Sequence, residues 1–111
     1  MSVASEEIAG RIRAVIGHRP GVTEKKMFGG VAFMLNGNMV AGSMKSGAML
    51  ARVGPERHAE ASARPGANPM MQGGKQMVGF IEVTDDGIED DEALEAWIEY
   101  CWAFVASLPP K

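Results

Sequence analysis

Arg52, Arg64 and Lys75 are the residues best suited to hold a ligand, two guanidiniums and one ammonium near the glycine pair Gly73-Gly74. Guanidinium forks match carboxylates and phosphates, and backbone amides around glycines can add a nest for the same anion. The chemistry this set suggests is capture of a small anion rather than its transformation. Neither Gly73-Gly74 nor Gly29-Gly30 carries the spaced glycines, lysine and hydroxyl of a P-loop, and neither sits in a strand–helix–strand unit.

Other reactive residue types have structural readings. His18 falls at a helix end and His58 in a short helix beside Glu56 and Glu60, and neither has a second histidine or a cysteine at ligand spacing. Cys101 lies on an apolar stripe with Ile98 and Val105, which makes it a buried thiol rather than a nucleophile. Eight of the nine methionines fall between Met27 and Met77. Thioethers converging across the strands, Met39 with Met49 for instance, would suit a soft cation. Spread over both strand parities, they read instead as adaptable core filling. The acidic run at residues 85–92 lacks the alternation of a calcium loop. No catalytic constellation, metal site or cofactor motif emerges, and the chain reads as a non-enzyme.

The elements that must position these groups follow from the patterning. Ile8, Ile12, Val15 and Ile16 recur at helical spacing over residues 5–17, with Ser5 as a cap candidate. Strands are expected over 22–28, 31–35, 39–44 and 48–53, the middle pair joined by Asn36-Gly37, a strong hairpin signal. A short helix follows at 55–63, then an irregular stretch at 65–76, a fifth strand at 76–83, and a turn at Asp85-Asp86-Gly87. The final helix opens on Asp90-Asp91-Glu92 and carries Leu94, Ile98, Cys101, Val105 and Leu108 on one stripe, widened by Trp97, Tyr100, Trp102 and Phe104. The pattern predicts an α+β fold. About five antiparallel strands form a meander, with the N- and C-terminal helices packed on one face and a short helix between the fourth and fifth strands.

With 111 residues, the chain suits a single domain over 1–111. No apolar run approaches the roughly 18 residues of a membrane span, and the N-terminus lacks signal-peptide character. With one cysteine, the expected compartment is the cytoplasm. The net charge of −3 is polarised: residues 1–81 hold 10 basic and 5 acidic side chains, whereas 82–111 hold 9 acidic ones and Lys111. That acidic third makes direct nucleic-acid binding unfavourable.

Lys26-Met27-Phe28-Gly29-Gly30, followed by the Asn36-Gly37 hairpin, resembles the signature of the TfoX N-terminal domain family. Met49-Leu50-Ala51-Arg52-Val53-Gly54-Pro55-Glu56 is similar to that family's strand leading into a short helix. Asn68-Pro69-Met70 and Gly74-Lys75-Gln76-Met77 resemble segments where members commonly have Arg-Pro-Met and Gly-Arg-Pro-Met, so here Asn68 stands for an arginine and Gln76 for a proline. The resemblance covers roughly residues 5–108 and implies the α+β fold, a stand-alone domain, a self-association surface and a regulatory association. It supplies no catalytic residues, and it assigns Lys26 to Gly30, Asn36 and Gly37 a structural role. The expected function is an interaction or regulatory domain acting as a homodimer or on a protein partner. The alternative is an anion-binding module around residues 64–76, and a weaker one is an accessory to a DNA-binding competence complex.

Overall fold

In the computed structural model, which describes residues 3–27 and 29–111, Asn36 and Gly37 hold φ of 51° and 88°. Two successive positive φ angles give the tight turn whose twist matches a hairpin, as the Asn-Gly pair predicts. The turn joins β2 (Gly30–Leu35) to β3 (Asn38–Ser43). Before them come α1 (Val3–Ile16) and β1 (Val22–Met27). After them follow β4 (Met49–Arg52), α2 (His58–Ser62), β5 (Ala67–Gln72), β6 (Lys75–Val83), α3 (Asp85–Ile88) and α4 (Asp91–Val105). Phe28 of the family signature lies outside the described residues.

All neighbouring strands are antiparallel, in the order β1-β2-β3-β4-β6-β5. The meander holds through β4, and β6 then inserts between β4 and the edge strand β5. Among the described residues there are therefore six strands rather than about five. The additional one is β5, inside the stretch expected to be irregular. The expected turn at Asp85-Asp86-Gly87 is likewise the one-turn helix α3.

Helices α1 and α4 cover one face of the sheet. Ile8, Ile12 and Ile16 from α1 and Leu94, Ile98, Cys101 and Val105 from α4 meet Phe33, Met49, Ala51, Val53, Ile81 and Val83 in one buried cluster. Asp90 caps α4, its carboxylate accepting the Ala93 N–H at 2.7 Å, and Asp91 and Glu92 favour the same end of the helix dipole. Ser5 does not cap α1, which begins at Val3. Its buried hydroxyl instead donates to the Gly29 carbonyl at 3.3 Å and lies 3.3 Å from the Ser43 hydroxyl, which accepts the Val31 N–H at 2.9 Å. Gly30 is required at this junction, because a Cβ there would stand 1.9 Å from the Ser43 carbonyl oxygen. Gly30 is thus explained by close backbone approach, and Gly29 by its φ of 74°.

Candidate functional site

The sheet face opposite the helices is lined with methionine. Met27 of β1, Met34 of β2, Met39 of β3, Met70 of β5 and Met77 of β6 surround one cavity of about 380 Å3, with Leu50, Phe80 and Arg52 in its wall. β1 and β5 are opposite edges of the sheet, which flat packing would hold about 24 Å apart. Residues of both edges line the same cavity, so the sheet is strongly curled and its helix-free face is concave. A crevice of only about 10 Å3, sharing Met27, Met39, Leu50 and Met70 with it, reaches Gly42 and Met44.

Two bulges put these methionines on one face. In β2–β3 the register shifts between Phe33 and Met34, so that Phe33 pairs with Ala41 while Met34 pairs with Met39. Phe33, Val40 and Ala41 all point into the core, and Met34 and Met39 face the cavity. In β5–β6 a second shift falls between Pro69 and Met71, which leaves Met70 facing the cavity. The first shift adds one residue on β3 and the second adds three on β6, and an odd number of extra residues resets the alternation of sides. Simple parity along the sequence therefore scatters methionines that the fold gathers. The suggested pair Met39 and Met49 is not gathered: Met49 is fully buried under the helices while Met39 lines the opposite face.

The three cations singled out from the sequence have different surroundings. Arg52 lines the methionine cavity, its guanidinium carbon 5.6 Å from the centre of the Phe80 ring and 5.7 Å from that of Phe104. Arg64 lies on the helix side, 4.0 Å from the Tyr100 ring centre and 5.3 Å from that of Trp97. Lys75 is exposed at the tight β5–β6 connection. Arg64 is accompanied instead by Arg57, whose guanidinium carbon lies 3.4 Å from the same Tyr100 ring centre. The sequence reading overlooked Arg57, and nothing in its local pattern marks it.

The remaining reactive groups are engaged structurally. His58 accepts the Gly79 N–H at Nδ1 (2.9 Å), and its Nε2 lies 2.8 Å from the Gln76 amide, so the ring fastens α2 to β6. Cys101 is fully buried, and burial pushes its thiol up to about 12 despite its hydrogen bond with the Arg52 backbone and the nearby charges of Arg57 and Arg64. Among the described residues, no group of three or more His, Cys, Asp or Glu side chains is placed to hold a metal ion, and no helix is long and apolar enough to cross a membrane.

A larger depression of about 670 Å3 runs between α1 and α4, past Glu7, Arg11, His18, Arg19, Asp91 and Glu95. Its arginines are already committed. Arg11 donates to Asp91 at 3.2 Å and to the Ile88 carbonyl at 2.7 Å, and Arg19 forms a fork with Glu99 at 2.9 and 2.7 Å. The depression is a groove between paired surface charges. The methionine cavity is smaller, predominantly apolar, and edged by a cation with no such pairing among the described residues, which is the usual composition of a ligand site.

The family model described as TfoX N-terminal domain matches residues 15–105 of the 111. No curated protein and no solved structure matches the chain.

Proposed function

We propose that this chain, which belongs to the TfoX N-terminal domain family, is a non-enzymatic regulatory domain that works by binding, with the concave methionine face as its working surface. The observation that carries this reading is the convergence of five methionines, from five different strands, on one cavity of about 380 Å3. Small-molecule sites span about 300–1,000 Å3 and are mostly apolar with a few polar groups. Unbranched, polarisable thioethers let such a wall conform to its occupant. In this reading the domain works in the cytoplasm, where the unpaired, buried Cys101 stays reduced.

Titration with 1-anilinonaphthalene-8-sulfonate, an apolar fluorophore bearing one negative charge, tests the reading. Saturable enhancement is expected, and Leu50→Glu or Met39→Glu should abolish it while circular dichroism stays unchanged. No enhancement, or enhancement equal in folded variants, overturns the proposal.

Self-association is a second reading, favoured by the exposure of Met71 (52%) and Val78 (59%) on the β5–β6 hairpin. The aromatic stripe of α4 is a poorer contact, because Trp97, Tyr100 and Trp102 lie beneath the chain's own Arg64, Arg57 and Arg19. Light scattering should give a homodimer mass that Val78→Lys halves. A monomeric mass across micromolar concentrations rejects this reading. Direct nucleic-acid binding has no part in either, given nine carboxylates and one lysine in residues 82–111.

A further inference from the structure

We infer that the occupant of the methionine cavity is a small amphipathic carboxylate, its apolar chain against the thioethers and its head on Arg52; this rests on the reading of the concave face as a binding surface. The cavity lining contains two cationic side chains, Arg52 and Lys111, and no Asp or Glu side chain. Arg11, Arg13 and Arg19 each pair with an acidic side chain, whereas Arg52 has no ion pair among the described residues. Its position is nevertheless defined. The Arg52 backbone is held opposite Phe80 in the β4–β6 ladder, and its guanidinium lies near both Phe80 and Phe104. The rings hold the cation through their π faces and leave its N–H fork without an acidic partner among the described residues.

An apolar wall and an unpaired, planar cation at its margin recognise two ends of one molecule. The chain end displaces water from Met27, Met39, Met70 and Met77, and the carboxylate accepts two parallel N–H bonds from the guanidinium. An uncharged apolar molecule would leave the fork unanswered. A short anion such as acetate would leave the methionines wet. The occupant therefore needs both parts, and the volume of about 380 Å3 suits a small molecule rather than a folded partner.

Calorimetric titration with decanoate, decanol and acetate separates the two parts. Decanoate should bind about tenfold more tightly than decanol, the expected effect of one charge-assisted contact. Acetate should show no saturable binding. Octanoate should bind more weakly than decanoate by about fourfold per methylene removed. Arg52→Gln should erase the preference for decanoate over decanol, and Arg52→Lys should keep part of it, which guards against a variant that merely misfolds. If decanol binds as well as decanoate, or Arg52→Gln leaves the preference intact, the carboxylate assignment is overturned while the binding face stands. If neither ten-carbon molecule binds, both proposals fall.

Discussion

The two faces of this sheet use the same residue type for opposite ends. Met49 and Met39 lie on adjacent strands, yet Met49 is fully buried beneath α1 and α4 while Met39 is half-exposed in the cavity. On the helix face, apolar side chains interlock with Ile, Leu and Val stems, and cations at the margin are seated on aromatic rings or paired with carboxylates. On the concave face, flexible thioethers and Arg52, itself near the Phe80 and Phe104 rings, stand around open space. One face holds the fold, and the other is held open by it. Methionine suits both, because it fills irregular space in a core and conforms to a guest at a surface.

The sharpest way to break that contrast is the pair Met49→Ala and Met39→Ala. Removing Met49 leaves a cavity in a packed core and should cost about 2–5 kcal/mol of stability in chemical denaturation. Removing Met39 widens a space that is already open and should cost under about 1 kcal/mol. The order should reverse for ligand: Met39→Ala should weaken decanoate, and Met49→Ala, at temperatures where it stays folded, should not. Equal stability losses would show that the concave face is core by another name.

Gly30→Ala comes next and tests whether the faces are coupled. Gly30 pairs with Met27 at the rim of the cavity, and an added Cβ would meet the Ser43 carbonyl oxygen at 1.9 Å. The backbone must move, so a loss of at least about 2 kcal/mol is expected, with weakened decanoate binding because Met27 moves with it. A stable variant that binds normally would mean that the Ser5–Gly29–Ser43 junction yields freely.

How much of this contrast was legible in the sequence differs between the faces. The helix face was legible almost throughout, because Ile8, Ile12 and Ile16 and the stripe Leu94, Ile98, Cys101, Val105 keep an unbroken 3.6-residue period. The Asn36-Gly37 turn was equally plain. The concave face was not, because its pattern is interrupted by bulges at Phe33/Met34 and Pro69/Met71, and a bulge has no sidedness in a linear sequence. β5 was hidden for a related reason: Pro69 within it, with Gly66 and Gly73-Gly74 around it, reads as loop chemistry, yet proline is tolerated on an edge strand. Arg52 and Arg64 were recognisable as cations, but only the fold assigns one to the cavity and the other to Tyr100.

A smaller effect probes the one imperfect spot on the dense face. The Tyr100 hydroxyl is buried without a hydrogen-bond partner among the described residues, while its ring is capped by Arg57 and Arg64. An unsatisfied buried hydroxyl destabilises, so Tyr100→Phe keeps the ring contacts and should raise stability by about 1 kcal/mol. A loss of similar size would mean that the hydroxyl finds a partner in solution.

The smallest expected effect concerns acid, and it separates the helix margins from the cavity. Arg13 of α1 forms a fork with Glu24 of β1, and Arg19 forms one with Glu99 of α4. The side-chain hydrogen bonds from the arginines, opposed by slight burial, hold both carboxyls below their ordinary 4.5 and keep both arginines charged. A carboxyl depressed in the folded state binds fewer protons there than in the unfolded chain. Its contribution is therefore fully present above about pH 4.5 and is lost as pH falls through the lower folded value. Both carboxylates are well exposed, at 38% and 46%, so solvent screening limits each pair to a few tenths of a kcal/mol at most. Denaturation midpoints should accordingly fall slightly more in the wild type than in Glu24→Gln, Glu99→Gln as pH drops from 5 toward 3. Both proteins should show the same relative loss of decanoate affinity over that range, because the cavity contains neither carboxylate. A cavity that lost its ligand only when these distant pairs were protonated would mean that the helix layer tunes the concave face. The two faces would then have to be treated as one device.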